Sequence, residues 1–174
     1  MIQKILRSGD PNLRKKSKVV IKVDKKILNL IADLKDTLAV QKDPQGVGLA
    51  APQIGKNLRV FVADFEKFKK VVINPEIVAI SEKQIANSKT KNEIMEGCLS
   101  LPNYYGPLKR NQKVRIKYLN EKGEKIMEEF KDFNAQIILH EIDHLEGILF
   151  MDRLFEQKQS LYKLDGDEWE EVEL

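Results

Sequence analysis

His140 and His144 are the only histidines in the chain, and they stand four residues apart in His140-Glu141-Ile142-Asp143-His144. On a helix that spacing is just over one turn, so both imidazoles project from one face and can grip a single metal ion, with Glu141 beside it. A catalytic zinc-type centre takes three protein ligands and keeps one position open for water. The chain's single cysteine, Cys98 in Glu96-Gly97-Cys98-Leu99-Ser100-Leu101-Pro102, is the natural third ligand, because a thiolate binds zinc or ferrous iron strongly. Either signal alone is weak, since His-Glu-x-x-His arises by chance on solvated helices and a lone cysteine is more often a small buried hydrophobe. Together they carry weight, because histidine is so scarce here that a chance pair at helical spacing is improbable.

The elements that must position these residues can be read in outline. From Asp24, a plausible N-cap, Ile27, Leu30, Ile31, Leu34 and Leu38 recur at three and four, which predicts a helix with one buried stripe, ending near Asp43-Pro44. Gly9-Asp10-Pro11-Asn12 is a turn signal. Leu58 to Val62 and Val71 to Pro75 read as short strands, and the signal between Glu76 and Met95 is weak. Val114, Ile116 and Tyr118 alternate with Arg115 and Lys117; after a turn at residues 120–123, Ile126 to Phe130 returns as the second arm of a hairpin. The helix bearing the histidines is expected from a cap at Asp132 or Asn134 to a stop at Gly147. Ile137, Ile138, Leu139, Ile142, Leu145, Ile148 and Leu149 surround the histidines on most sides, so this helix should be a buried central one. The expected fold class is α+β, with short and mostly antiparallel strands around a central metal-binding helix.

Composition narrows the class. A chain of 174 residues, 42% hydrophobic and 33% charged, reads as one globular domain spanning 1–174, with an acidic tail at about 163–174. No apolar run approaches a membrane span, and the first residues lack the pattern of a secretory signal, so a cytoplasmic protein is expected. One cysteine excludes an intrachain disulfide and suits a reducing compartment. A net charge of +3 is too small to argue for nucleic acid, so no DNA partner is expected, and without an apolar span no membrane partner either. The basic run from Arg14 to Lys26 and the acidic tail read as solvated surface; Arg14 and Arg110 could individually anchor loops or carboxylates, but surface charge is the preferred reading of each.

Gly46-Val47-Gly48-Leu49-Ala50-Ala51-Pro52-Gln53-Ile54-Gly55 needs separate treatment, because small residues at this density allow another backbone to approach closely. It is not a phosphate-binding loop, since Gly55-Lys56-Asn57 lacks the hydroxyl residue after lysine and the glycine spacing is not that of a dinucleotide site. Standing alone it would be a glycine-rich turn into a strand.

In order and separation, the segments 46–53, 96–100 and 140–144 closely resemble the three motifs of the peptide deformylase family. The likeness runs from the first helix to about Leu154. What it implies is a ferrous metalloenzyme, with zinc, nickel or cobalt able to substitute, that removes the formyl group from the initiator methionine of new proteins. By motif matching, Cys98, His140 and His144 correspond to the metal ligands and Glu141 to the catalytic acid-base. Gln53 and the backbone N–H of Leu99 would bind the formyl oxygen, and the backbone of Gly48 would pair with the peptide. Formyl-methionyl nascent peptides are the implied partners, with transient ribosome association. Two departures stand out: Tyr105 lies where many relatives place arginine, and the acidic tail replaces the basic tail that some relatives use on the ribosome.

The residue types suit that chemistry. A divalent ion makes bound water acidic, Glu141 can take its proton and pass it to the departing amine, and preorganised donors stabilise charge developing on the formyl oxygen. A crowded site built with Gly46, Val47, Gly48 and Leu99 would admit formyl and reject acetyl, and Val47, Ile137 and Leu99 are candidates for an apolar methionine pocket. Three other readings share some of these residues. A metallopeptidase would use the same helix motif, a thiol hydrolase would use Cys98 as nucleophile, and an interaction module would close the metal site with a fourth ligand.

Overall fold

The computed structural model describes residues 1–84 and 95–173. The expected α+β class holds. Helix α1 (Lys25–Ala39) precedes strands β1 (Gly48–Ala50), β2 (Val60–Phe65) and β3 (Phe68–Ile80). Strands β4 (Glu96–Cys98), β5 (Leu101–Gly106), β6 (Lys113–Leu119) and β7 (Lys125–Lys131) lead to helices α2 (Asp132–Leu145) and α3 (Phe150–Glu156), and β8 (Leu161–Asp165) and β9 (Glu168–Val172) close the described chain. Two antiparallel sheets result, in the orders β1-β2-β3-β6-β7 and β4-β5-β8-β9.

The five-stranded sheet is covered on both faces, and strand alternation decides which residue goes where. Val60, Val62, Leu49 and Ile73 pack against the predicted stripe of α1, Ile27, Leu30, Ile31, Leu34 and Leu38. Their neighbours Phe61, Ala50 and Val72 point the other way and pack with Val114, Ile116 and Phe130 against Ala135, Ile138, Leu139, Ile142 and Leu145 of α2. A run such as Val60-Phe61-Val62 is apolar throughout because both of its faces are buried. A third cluster of Leu108, Phe150, Leu154 and Leu161 ties α3 to the smaller sheet, with Cys98 and Tyr104 at its edge.

Helix α2 is the buried central helix the sequence predicts, buried without a break from Ala135 to Leu145. It stops where expected. Gly147 follows the cap residue Glu146 with φ +74, a left-handed conformation that glycine adopts without steric cost. A Cβ there would also run into the backbone carbonyl of Arg14, and the nearby Ser17 N–H donates to the Leu145 carbonyl at 2.8 Å. The start differs from expectation: Lys131 occupies the cap, and the Asp132 carboxylate accepts from Gln112 Nε2 at 3.1 Å instead of capping the helix.

Other boundaries moved for local reasons. Helix α1 does begin after Asp24, whose side chain accepts from the Ile27 N–H at 3.1 Å. It ends at Ala39, ahead of Pro44, where the Gln41 side-chain amide donates to the Thr37 carbonyl at 3.0 Å and the chain turns. Strand β2 starts at Val60 because Leu58 is bridged to Lys18 and Arg59 donates to the Lys18 carbonyl at 2.9 Å. Strand β3 runs well past Pro75 through an irregularity at Asn74, which has φ +52 and whose side chain both accepts from the Val20 N–H and donates to its carbonyl, each at 2.8 Å. Residues 85–94, part of the weakly patterned stretch, lie outside the described residues, as does Leu174.

The acidic tail is not simply solvated chain. It forms the β8–β9 hairpin, and β8 pairs with β5 through Tyr104 with Lys163 and Tyr105 with Tyr162.

Candidate active site

Helix α2 presents His140 and His144 toward β4, which carries Cys98. The Nε2 atoms of the two histidines are 3.2 Å apart, and Cys98 Sγ lies 3.3 Å from His144 Nε2. All three ligand atoms fall within 4.8 Å of one another. Metal–nitrogen bonds of about 2.1 Å and metal–sulfur bonds of about 2.3 Å place tetrahedral neighbours roughly 3.4 Å apart, so this donor set fits one divalent ion. Burial resists ionisation of Cys98, but His144 and His140 outweigh it and hold the thiol well below its ordinary range. A thiolate is the form that ligates metal.

Glu141 stands beside this cluster, 3% exposed. Burial pushes its pKa up to about 7, and its Oε2 has no hydrogen-bond partner. It is packed against Gly48 so closely that a Cβ on that glycine would lie 2.5 Å from Glu141 Oε1. Gly48→Ala should therefore displace the carboxylate and cost at least about a hundredfold in turnover, on the scale of losing an acid-base group, with thermal stability little changed. Steady-state kinetics and a melting curve on the same preparation check this.

Gln53 sits in a buried 3-10 turn, Ala51–Ile54, directly after β1. The Ala50 N–H donates to its Oε1 at 2.9 Å, which turns its Nε2 toward Ser100 Oγ at 3.2 Å and Cys98 Sγ at 3.6 Å. The amide is thus a fixed donor aimed at the metal cluster. The N-terminal segment braces both sides of this arrangement. The Leu6 N–H donates to the Gln53 carbonyl at 2.8 Å, Arg7 Nη1 donates to the Leu99 carbonyl at 3.3 Å, and the Ser8 N–H donates to the Ser100 carbonyl at 2.9 Å.

These residues border one cleft. Gly46, Val47, Gly48, Gln53, Cys98, Leu99, Ile137, His140 and Glu141 all line it, while His144 lies deeper, 1% exposed. Strand β1 has β2 on one side only, so its other edge runs along the cleft. The approach of Gly46 to Leu99 and Leu38 is equally close: a Cβ would come within 2.9 and 2.7 Å of their methyl groups.

The sequence reading missed the support beneath the cluster and misjudged Arg110. That side chain is buried, not surface charge. Its Nε and Nη2 donate to the two oxygens of Glu96 at 2.9 and 2.8 Å, and its Nη1 donates to Asp143 at 2.6 Å. Arg153 donates to the other oxygen of Asp143 at 2.8 Å. His140 Nδ1 in turn donates to Glu96 Oε2 at 2.9 Å, which fixes the ring so that Nε2 faces the cluster. Burial would raise the Glu96 pKa, but Arg110 and His140 hold it down to about 2. One signal was available in sequence: Asp143 is a carboxylate on a helix expected to be buried, and a buried charge needs a counter-charge. Arg14, by contrast, is the exposed partner of Asp152, as a surface residue should be.

Comparison with known proteins agrees with this geometry. Residues 2–160 match the family model described as polypeptide deformylase. The chain is 47% identical over 153 residues to the peptide deformylase of Pseudothermotoga lettingae, covering 87% of this chain and 82% of that protein. It is 45% identical over 157 residues to peptide deformylase 1 of Clostridium acetobutylicum, covering 90% and 97%. Among solved structures, the peptide deformylase of Thermotoga maritima superposes with a TM-score of 0.78 at 37% identity, covering 88% of this chain and 97% of that one. That of Thermus thermophilus superposes at 0.79 and 39% identity, covering 90% and 88%.

Proposed function

This chain belongs to the peptide deformylase family and acts on formylated peptides, and we propose from that premise how its residues divide the work and on which substrates. The substrates are formyl-methionyl nascent peptides in the cytoplasm, met on or near the ribosome. The observation that carries the assignment of roles is the convergence of Cys98, His140 and His144 with the Glu141 carboxylate and the Gln53 amide on one cleft.

Cys98, His140 and His144 hold the ion, for which ferrous iron is the proposed occupant, with zinc, nickel or cobalt as substitutes. When bound, that ion supplies Lewis acidity and an acidified water. Glu141 takes the proton and returns it to the departing amine; burial raises its affinity for the proton, as suits a group that must accept one and then release it. Gln53 Nε2 and the Leu99 N–H donate to the formyl oxygen as it gains charge. Because Gln53 is already oriented by Ala50, no reorganisation is required at that moment, and such a donor is worth about 3 kcal/mol. The free edge of β1 at Gly48 pairs with the extended peptide, as a strand added to a sheet edge, and Gly46 and Val47 line the cleft just before it. Val47, Ile137 and Leu99 receive the methionine side chain.

The closeness of Gly46 to Leu99 and of Gly48 to Glu141 leaves little room beyond a hydrogen on the acyl carbon. Formyl-Met-Ala should be hydrolysed, while acetyl-Met-Ala should react at least about a hundredfold more slowly and Met-Ala not at all. Comparable rates on the acetyl peptide would contradict the crowded site, and cleavage of Met-Ala would favour a metallopeptidase.

A further inference from the structure

The β8–β9 hairpin lies beyond the residues 2–160 that match the family model, yet it is built onto the wall of the cleft. Tyr105 lines that cleft and is only half-buried, in contrast to the buried His140 and Glu141, so it belongs to the solvent end. Its ring covers Gly97, where a Cβ would lie 2.6 Å from two ring carbons. From the far side the ring meets Trp169 edge-on, with centroids 5.4 Å apart and planes at 80°.

Strand register produces this contact. Tyr105 is opposite Tyr162 and Tyr162 is opposite Glu171, while Leu164 is opposite Trp169. Residues two apart share a face, so Tyr105, Tyr162, Leu164, Trp169 and Glu171 lie on one side of the smaller sheet. Trp169 is 50% exposed, although it is the largest apolar side chain of an otherwise acidic strand. Held between Gly97 and Trp169, Tyr105 has little freedom to swing away from the cleft.

We propose that Trp169 is a positioning residue for substrate binding. By holding Tyr105 against Gly97 it fixes an aromatic wall at the outer end of the cleft, and that wall reads apolar side chains following the formylated methionine. The inference rests on the deformylase reading of the cleft. Trp169 acts through Tyr105 and not on the reacting atoms, so its loss moves KM and leaves kcat alone.

The test compares wild type, W169A, W169F, Y105A and the double variant on formyl-Met-Leu-Phe and formyl-Met-Ala-Ser. W169A should raise KM for formyl-Met-Leu-Phe about three- to tenfold at constant kcat, the range one aromatic pair commands, with a smaller effect on formyl-Met-Ala-Ser. W169F should restore most of the loss, and the double variant should be no worse than Y105A. Trp169 is the only tryptophan, so its emission in wild type should change on saturation with the product Met-Leu-Phe and stop changing in Y105A. Wild-type turnover combined with an unchanged KM in W169A would overturn the role of the hairpin, as would additive effects in the double variant. Absence of formate release from both peptides by wild type would instead overturn the deformylase reading and the inference with it.

Discussion

Glu141→Ala should lower kcat by about a thousandfold, while the protein still binds one metal ion per chain and melts no lower than wild type. The loss follows from the role: no other described carboxylate lines the cleft except Glu96, and both of its oxygens are committed to Arg110. General acid-base catalysis is typically worth about 10²–10⁴-fold, and Glu141 is asked to perform two transfers. Stability should not suffer, because the carboxylate is buried and Oε2 is without a partner, an arrangement that costs the folded state free energy. Metal content by elemental analysis, a melting curve and kcat on one preparation decide it. A variant with normal kcat would remove Glu141 from the proton pathway.

Arg110→Met should produce the opposite pattern, in which structure fails first. Methionine approximates the length of the side chain but leaves Glu96 without its bidentate partner and takes one of two cations from Asp143. Removing one member of a buried ion network typically costs about 3–5 kcal/mol, because the remaining charges are left desolvated. For a chain of this length that corresponds to a fall in melting temperature of roughly 10 °C. Metal affinity should fall as well, by about 10–100-fold, since Glu96 is the group that orients His140. Denaturant unfolding and competition with a chelator measure the two effects separately. A variant within about 1 kcal/mol of wild type would show that the network contributes little to the folded state.

The contrast between these two residues shows what the sequence could and could not reveal. Glu141 was legible because helical periodicity is local: His140, Glu141 and His144 lie within two turns, and their mutual placement needs no knowledge of the rest of the chain. The apolar stripe of α1 and the all-round apolar surface of α2 were legible for the same reason. Arg110 was not legible, because its environment is made by β4 and α2, which approach only when the chain is folded. An arginine next to Lys109 looks like surface charge until Glu96 and Asp143 arrive beside it.

The tail failed for a related reason. Asp165 to Glu173 reads as solvated by composition, and most of these side chains are indeed exposed, but the backbone pairing of β9 with β8, and of β8 with β5, is not written in side-chain polarity. The bracing of Gln53 and Ser100 by Leu6 and Ser8 is likewise carried by backbone groups and leaves no signature in the sequence. Gln53 itself is intermediate. The small-residue segment announced a close backbone approach, but only the fold shows that the Ala50 N–H turns the amide toward Cys98.

Cys98, His140 and His144 are proposed to hold a catalytic ion whose chemistry releases formate. The most direct measurement is formate release from formyl-Met-Ala by protein purified without oxygen, with bound metal quantified on the same sample before and after chelation. Turnover should scale with bound metal, disappear with the chelator and return when ferrous iron is restored. Full turnover by metal-free protein would contradict that role and transfer the chemistry to the Cys98 thiolate; one bound ion per chain with no formate release would reduce the cluster to a structural site.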